Sequence, residues 1–242
     1  LRSDYDIIDN LTATLNLAAE DNSSRRDRYT NRLTIGGLGA GGVANINTGE
    51  STHWLVETLL KYEKNFNEKH DLSVLGGATW EKFNSRAAAA GTRGFLSDVL
   101  TTNALQSGDG ELGDNVSSDK DVNQLNGFLG RLTYGYDNRY LLTASLRIDG
   151  SSRFARGNKY AYFPSASLGW RVSNESFLKN AEWINDLKFR VGYGELGNQG
   201  INNFETRTTL VPGGNSVFGD AIAQGVVPPR LANPNLTWET TS

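Results

Sequence analysis

Hydrophobic and polar residues alternate with a period of two through much of the second half of the chain. From Leu125 to Tyr136 one parity reads Phe128, Gly130, Leu132, Tyr134, Tyr136, and the other Gly127, Leu129, Arg131, Thr133, Gly135. Successive side chains of a strand point to opposite faces, so the first set makes an apolar face and the second a small or polar one. Tyr140 to Asp149 repeats the design, with Tyr140, Leu142, Ala144, Leu146 and Ile148 against Thr143, Ser145, Arg147 and Asp149; Leu141 is the exception. From Tyr160 to Val172 the apolar set is Tyr162, Pro164, Ala166, Leu168, Trp170, Val172, opposed by Phe163, Ser165, Ser167, Gly169, Arg171. From Leu187 to Tyr193 it is Leu187, Phe189, Val191, Tyr193 against Lys188, Arg190, Gly192. Each of these strands carries Arg or Lys on its polar side.

Leu11 to Ala19, His53 to Tyr62 and Leu72 to Trp80 alternate less cleanly, although Trp54, Tyr62 and Trp80 stand at their ends. Leu1 to Asp6 reads as the tail of a strand and Leu236 to Thr241 as the start of another. The pattern predicts seven complete strands and two partial ones.

The connections alternate in length. Tight ones hold Asp9-Asn10, Asn65 to Lys69, and Asp137-Asn138, residues that tolerate left-handed backbone and bond their own chain. Long ones, roughly Arg25 to Glu50, Asn84 to Asp121, Gly150 to Lys159 and Gly197 to Asn235, are rich in Gly, Ser, Asn and Thr. Short turns at one end and long loops at the other are the habit of outer-membrane barrels. Ser173 to Asp186 breaks the pattern, being a longer connection at a short-turn position; a helical turn, with its apolar residues capping the rim, is expected there.

Composition narrows the reading. The 242 residues are 38% hydrophobic and 10% aromatic, with 27 Gly and 5 Pro, so the chain is glycine-rich yet too aromatic for disorder. Cys is absent, which removes disulfides, thiol nucleophiles and thiolate metal sites. Only His53 and His70 are present, so a histidine metal centre is hard to assemble, and a surface role is expected of both. Net charge is −3, with no basic footprint for nucleic acid. No apolar run is long enough for a membrane helix, but a barrel crosses with strands of about 9–11 residues. Met is absent even at position 1, which is read as a chain that begins partway into a longer protein.

Inside hydrocarbon every backbone donor and acceptor must be paired within the protein, and a closed barrel does this. Its lipid face must be apolar with aromatic residues at the water boundaries, which suits Tyr134, Tyr136, Tyr140, Tyr162, Trp170 and Tyr193. A one-sided sheet on a soluble core would alternate in the same way. It would strand Arg131, Arg147, Arg171 and Arg190 in that core, where an unpaired ion costs several kcal/mol; a wet or filled lumen offers partners. Inward Gly127, Gly169, Gly192 and Gly194 would let the wall bend or an internal domain come close. The expected fold class is therefore all-β, an antiparallel transmembrane β-barrel segment with short periplasmic turns and long extracellular loops.

Asp149 to Ser173, DGSSRFARGNKYAYFPSASLGWRVS, followed by NESFLKN at Asn174 to Asn180, resembles the barrel signature of the SusC/RagA family of TonB-linked outer-membrane proteins. LKFRVGYGELGNQG at Leu187 to Gly200 and NPNLTWET at Asn233 to Thr240 resemble two further stretches of that family, in the same order. Leu59 to Gly77, with NFNEKHDLSVLGG, is similar to a family hairpin and less distinctive. The matched positions, given a structural role, are Gly150, Ser151, Arg153, Phe154, Asn158, Lys159, Tyr160, Phe163, Pro164, Ser165, Gly194, Gly197, Asn198, Asn233, Pro234, Trp238 and Glu239.

The resemblance implies a bacterial outer-membrane barrel of about 22 strands around an N-terminal plug. It implies import of glycans or peptides, energy passed through TonB, and a SusD-like surface lipoprotein as lid. Residues 1–242 would then be part of one TonB-dependent transporter barrel domain, with the plug and the final strands lying outside it. A soluble carbohydrate-binding β-sandwich and a barrel without transport function are the alternatives.

Candidate chemistry is sparse, and neither catalysis nor a cofactor is expected. Asp109 to Asp114 could offer carboxylates to calcium but lacks the EF-hand spacing. Glu81 with Asp98, or Asp149 with Glu195, would need to lie about 5–9.5 Å apart for glycoside hydrolysis. Phe95, Phe204 and Phe218 in loops suit stacking on sugars, with packing inside the loop the plainer expectation. Arg153 and Lys159 are expected in surface ion pairs, and Gly194, Gly197, Asn198, Gln199 and Gly200 in a shaped loop exit.

Overall fold

The computed structural model describes residues 1–110, 115–178, 183–219 and 221–242, with the backbone alone at Phe218. Eight strands form one sheet in chain order: β1 (Arg2–Ile8), β2 (Leu11–Thr30), β3 (Val43–Phe66), β4 (His70–Arg93), β5 (Asn115–Tyr136), β6 (Tyr140–Ser151), β7 (Tyr160–Arg171) and β8 (Lys188–Gly194). Four shorter strands follow outside it. The strand β9 (Leu196–Asn198) pairs with β12 (Glu239–Thr241), and β10 (Val211–Phe218) pairs with β11 (Ala221–Val227). The seven complete strands expected are β2 to β8, the first partial one is β1, and the second is β12, which pairs with β9 outside the sheet.

Leu1–Ala18, Leu55–Glu81 and Asn123–Ser242 make one compact unit, and Ala19–Trp54 with Lys82–Val122 make another. In the first unit the register brings the expected faces together. Across β5, β6, β7 and β8 run the rows Tyr134, Leu142, Leu168, Val191 and Leu132, Ala144, Ala166, Tyr193. The opposite face carries Thr133, Thr143, Ser167, Gly192 and Arg131, Ser145, Ser165, Gly194. A slip of one residue on any strand would mix the two sets. Leu146, Leu168 and Phe189 on the apolar face are 43%, 58% and 60% exposed, so among the described residues this face covers no core.

The polar face is tied to itself. Arg147 Nε donates to Asp149 Oδ2 at 2.6 Å, and the hydroxyls of Ser145 and Ser165 bond at 2.6 Å. A side chain at Gly127 would collide with Thr79, Asp149 and Arg147, so the glycine leaves room for that ion pair to lie across the sheet. Near the first hairpin, Thr12 and Thr14 donate to Asp6 and Asp4, and Asn16 donates to Glu57 at 2.7 Å.

Aromatic residues on the apolar parity recur at a fixed interval: Trp54 and Tyr62 on β3, Phe128 and Tyr136 on β5, Tyr162 and Trp170 on β7. Eight positions correspond to roughly 26 Å along a strand.

Two of the short turns share one geometry. Phe66 and Tyr136 each accept from the N–H three residues on, at 3.2 and 2.9 Å. The central pairs Asn67-Glu68 and Asp137-Asn138 all have positive φ, 50 to 59°, as a type I′ turn requires. Asn10 plays a similar part between β1 and β2 with φ 68°.

Several boundaries differ from the expectation. The stretches read as long loops from Arg25 to Glu50 and from Asn84 to Asp121 are partly strand, since β2 runs to Thr30, β3 starts at Val43, β4 runs to Arg93 and β5 starts at Asn115. These extensions carry no regular apolar face, so a ladder of backbone hydrogen bonds continues where hydrophobic alternation has ceased. The stretch from Gly197 to Asn235 likewise contains the β10–β11 hairpin. Val172 and Leu187 fall outside β7 and β8, and Val172 is buried in a 3-10 turn at Val172–Asn174. In the connection from Ser173 to Asp186, Phe177 and Trp183 are exposed, Leu178 and Ile184 are half-buried, and residues 179–182 lie outside the described residues.

Candidate functional site

The family-motif positions converge in the first unit, at the end of β6 and β7 away from the short turns. Phe154, Phe163 and Trp238 form its buried core, with Leu125, Ala161, Ile201 and Leu236 packed around them. Trp238 lies 5.3 Å from Phe154 and 5.6 Å from Phe163 between ring centroids, the second pair edge to face. Phe163 reaches this cluster from the polar parity of β7, where it pairs with Arg147. That explains an aromatic residue on the polar side: it is covered by Trp238 rather than left facing water.

Polar groups lock the same place. Trp238 Nε1 donates to the Lys159 carbonyl at 2.9 Å, and Asn158 Nδ2 donates to the carbonyls of Pro234 and Leu236 at 3.3 and 3.5 Å. Arg153 donates to Asn203 Oδ1 and to the Ile201 carbonyl, each at 3.1 Å, while the Thr206 hydroxyl donates to the Arg153 carbonyl. Asn198 Nδ2 donates to Glu239 Oε2 at 3.3 Å, beside the β9–β12 pairing. The Phe163 ring fills the space that a side chain at Gly197 would need, and the Tyr160 ring does the same at Gly150. Ser151 is buried, its N–H donating to the Lys159 carbonyl at 3.0 Å. Ser165 and Gly194 pair across β7 and β8, and Pro164 pairs with Leu146 on the apolar face. Arg153 and Lys159 therefore do not form the expected surface ion pairs. One stitches two loops by neutral acceptors, and the other contributes its backbone.

A second node lies at the short-turn end. Tyr140 and Trp170 face each other across β6 and β7, and their O–H and N–H both donate to Glu175 Oε1, at 2.7 and 3.0 Å. Arg139 donates to Glu175 Oε2 at 3.1 Å and also pairs with Asp137. The hydrogen bonds from Tyr140 first, then Trp170 and Arg139, hold the buried Glu175 carboxyl below its ordinary range. Sequence reasoning gave Glu175 no role, since it stands in a largely polar connection that also holds Glu182 and Asp186.

In the second unit the short helix α1 (Ile35–Leu38) sits in the connection after β2, facing the connection after β4. Asp98 accepts from the Tyr29 hydroxyl at 2.6 Å, from the Arg32 N–H at 3.2 Å and from Arg32 Nε at 3.1 Å. The Tyr29 bond foremost keeps the Asp98 carboxyl below its ordinary range. Gly94 N–H donates to the carbonyls of Ala40 and Gly42, and Phe95 N–H to Gly41. A Cβ on Gly41 would come within 3.0 Å of the Gly94 Cα. Phe95 is buried edge-on against Tyr29, so it packs within its loop.

The remaining acidic candidates are held by other side chains. Asp98 is committed to Tyr29 and Arg32, Asp149 to Arg147, and Glu195 to the Tyr193 hydroxyl at 2.8 Å. Phe204 is partly exposed with φ 64°, and the Phe218 side chain lies outside the described residues. Of the acidic stretch proposed for calcium, residues 111–114 lie outside the described residues. His53 stacks on Phe83 at 4.1 Å, and His70 Nδ1 bonds the Tyr134 hydroxyl at 2.6 Å.

The model of the TonB-dependent receptor-like β-barrel family matches residues 1–242. The chain belongs to that family. A TonB-dependent receptor of Formosa agariphila is 35% identical over 222 residues, 91% of this chain and 22% of the relative. The TonB-dependent receptor SusC of Bacteroides thetaiotaomicron is 40% identical over 124 residues, 50% of this chain and 12% of SusC. Among solved structures, the RagAB peptide transporter superposes with a TM-score of 0.88 at 24% identity, over 99% of this chain and 26% of that one. The chain spans about a quarter or less of the length of these relatives. It is an outer-membrane β-barrel segment of the TonB-dependent receptor type, similar to SusC over half of its length.

Proposed function

We propose that the chain is barrel wall in a transporter that imports large nutrients, glycans or peptides, across the outer membrane into the periplasm. The observation that carries this reading is the row-by-row separation of an exposed apolar face from a hydrogen-bonded polar face, in a chain matched along its whole length by the family. Relatives described as receptors and transporters support a role in binding and passage rather than catalysis. The polar wall suits a wet passage beside an internal plug: Arg147 is paired, and Gly192 and Gly194 keep the surface low where another domain would lie close. By analogy with SusC and RagAB, the partners are a SusD-like lipoprotein over the outer mouth and TonB acting through the plug, which lies outside these residues. The motif cluster at Phe154, Phe163 and Trp238 then shapes the rim and touches no ligand.

The test uses the full-length protein in its native membrane. Uptake of fluorescent oligosaccharides and peptides too large for porins is measured with and without TonB, and a tagged copy is purified in detergent to find its lipoprotein. Import of one class that stops without TonB supports the proposal and selects the substrate. Import of neither class would sink it.

A further inference from the structure

The polar face of the first unit is electrically lopsided. On β5 to β8 it carries five cations, Arg131, Arg147, Arg171, Lys188 and Arg190, against one acid, Asp149. Its other carboxylates stand mainly on β1 to β4 and are bonded within the wall. Arg2 and Thr14 donate to Asp4, Thr12 to Asp6, Asn16 to Glu57 and Asn65 to Asp71. Glu63 pairs with Lys61 at 2.8 Å and accepts from Ser73, and Glu81 also has a partner. Four strand spacings, about 19 Å, separate β4 from β8, so these acids are too distant to offset the charge of β8.

Two of the five cations are matched locally. Arg147 holds Asp149, and Arg171 reaches Asn138 and Asp186. Among the described residues Arg131, Lys188 and Arg190 take part in no ion pair or hydrogen bond, and Arg131 and Arg190 are exposed. Lys188 stands directly opposite Arg171, a like-charged pair that is unfavourable without an anion to share. The unmatched charge on this stretch of wall is therefore positive.

Between Arg131 on β5 and Arg190 on β8 runs a strip of hydroxyls. Thr133, Thr143 and Ser167 form one row and Ser145 and Ser165 the next, each row ending on a glycine of β8, Gly192 or Gly194. Three strand spacings make the strip about 14 Å wide. A hydroxyl both donates and accepts, which matches the hydroxyls of a sugar, and a guanidinium fork takes a carboxylate or sulfate through two parallel bonds. These rows offer hydroxyls and bare glycine backbone rather than apolar hollows, which favours a sugar chain over a peptide with side chains to bury.

We propose that this strip binds acidic oligosaccharides, glycans bearing carboxylate or sulfate groups, with Arg131 and Arg190 each taking a charged group and the Ser and Thr hydroxyls bonding the sugars between them. Lys188 adds attraction beside Arg190. The inference rests on the reading of the polar face as a passage for nutrients and narrows the cargo carried there.

The test uses the full-length protein in cells, comparing wild type with Arg131→Gln/Arg190→Gln and Arg131→Lys/Arg190→Lys variants. TonB-dependent uptake is measured for fluorescent oligogalacturonate, a sulfated oligosaccharide, methyl-esterified oligogalacturonate and oligoglutamate of matched length. Heat-modifiable migration confirms that each variant is a folded barrel. Wild type should take up an acidic glycan in preference to the esterified one, and the Gln variant should lose about ten-fold of that uptake, the Lys variant less. Uptake of the esterified probe should be the same in all three proteins. Equal uptake of the acidic glycans by wild type and the Gln variant would overturn the inference. So would import of the esterified glycan or of oligoglutamate in preference to both acidic glycans, although transport itself would then stand. Import of none of the four probes would remove the inference together with the reading of the wall on which it rests.

Discussion

The ring of Phe163 occupies the volume that a side chain at Gly197 would require, and this contact joins β7 to the segment that pairs with β12. An aromatic ring laid over a glycine hides exposed backbone and fixes the ring's rotamer. Gly197→Ala should displace Phe163 from Trp238 and cost about 1–3 kcal/mol, the usual penalty for overpacking. Replacing Phe163 by Leu at the same time should recover part of the loss. The check is the temperature at which the full-length barrel loses its compact form on a gel, and an unshifted Gly197→Ala variant would refute the contact's importance.

Glu175 should make stability depend on pH. Its carboxyl is depressed in the folded state, so its contribution is complete above the ordinary carboxylate value of 4.5 and disappears as pH falls through the lowered one. Unfolding midpoints of wild type should fall on acidification below that range, and Glu175→Gln should show a flatter profile with a lower plateau at neutral pH. Parallel curves for the two proteins would show that the Tyr140 and Trp170 bonds do not depend on the charge.

Leu146 pairs with Gly130 on one side and Pro164 on the other, on the lipid face between the aromatic boundaries. Leu146→Arg should cost about 2–4 kcal/mol and Leu146→Asp less, as expected near the bilayer midplane. Assembly into the outer membrane, read by protease resistance, should fall in that order, whereas Thr143→Arg on the opposite face should assemble normally. Equal assembly of all three would reverse the faces.

Asp98 holds Tyr29 and Arg32 together, and Asp98→Asn removes the charge while keeping the shape. Faster proteolytic nicking between Gly94 and Gly110 is expected, with barrel stability unchanged. Nicking at the wild-type rate would mean that the backbone bonds from Gly94 and Phe95 suffice.

The faces of β5 to β8 were legible because one side meets lipid and the other water, so the periodicity is carried by the residues themselves. Tight turns were legible for a similar reason, since Asp137 and Asn138 suit positive φ. The outer extensions of β2 to β5 were not, because neither side carries a regular apolar pattern and only the backbone ladder marks the strand. Motif positions such as Asn158 and Trp238 were found by resemblance, but their meeting is a long-range event between segments some 80 residues apart, with no local trace. Arg153 misled for a different reason: a charged side chain suggests an ionic partner, yet here it binds a carbonyl and an amide oxygen.

The eight-position interval between Trp54 and Tyr62, repeated from Phe128 to Tyr136 and from Tyr162 to Trp170, amounts to a built-in gauge of bilayer thickness. Indole and phenol rings resist leaving the interfacial layer, so a thicker membrane must thin around this wall or the wall must lean. In synthetic bilayers of graded acyl length, insertion should therefore peak at one thickness and decline on both sides of it.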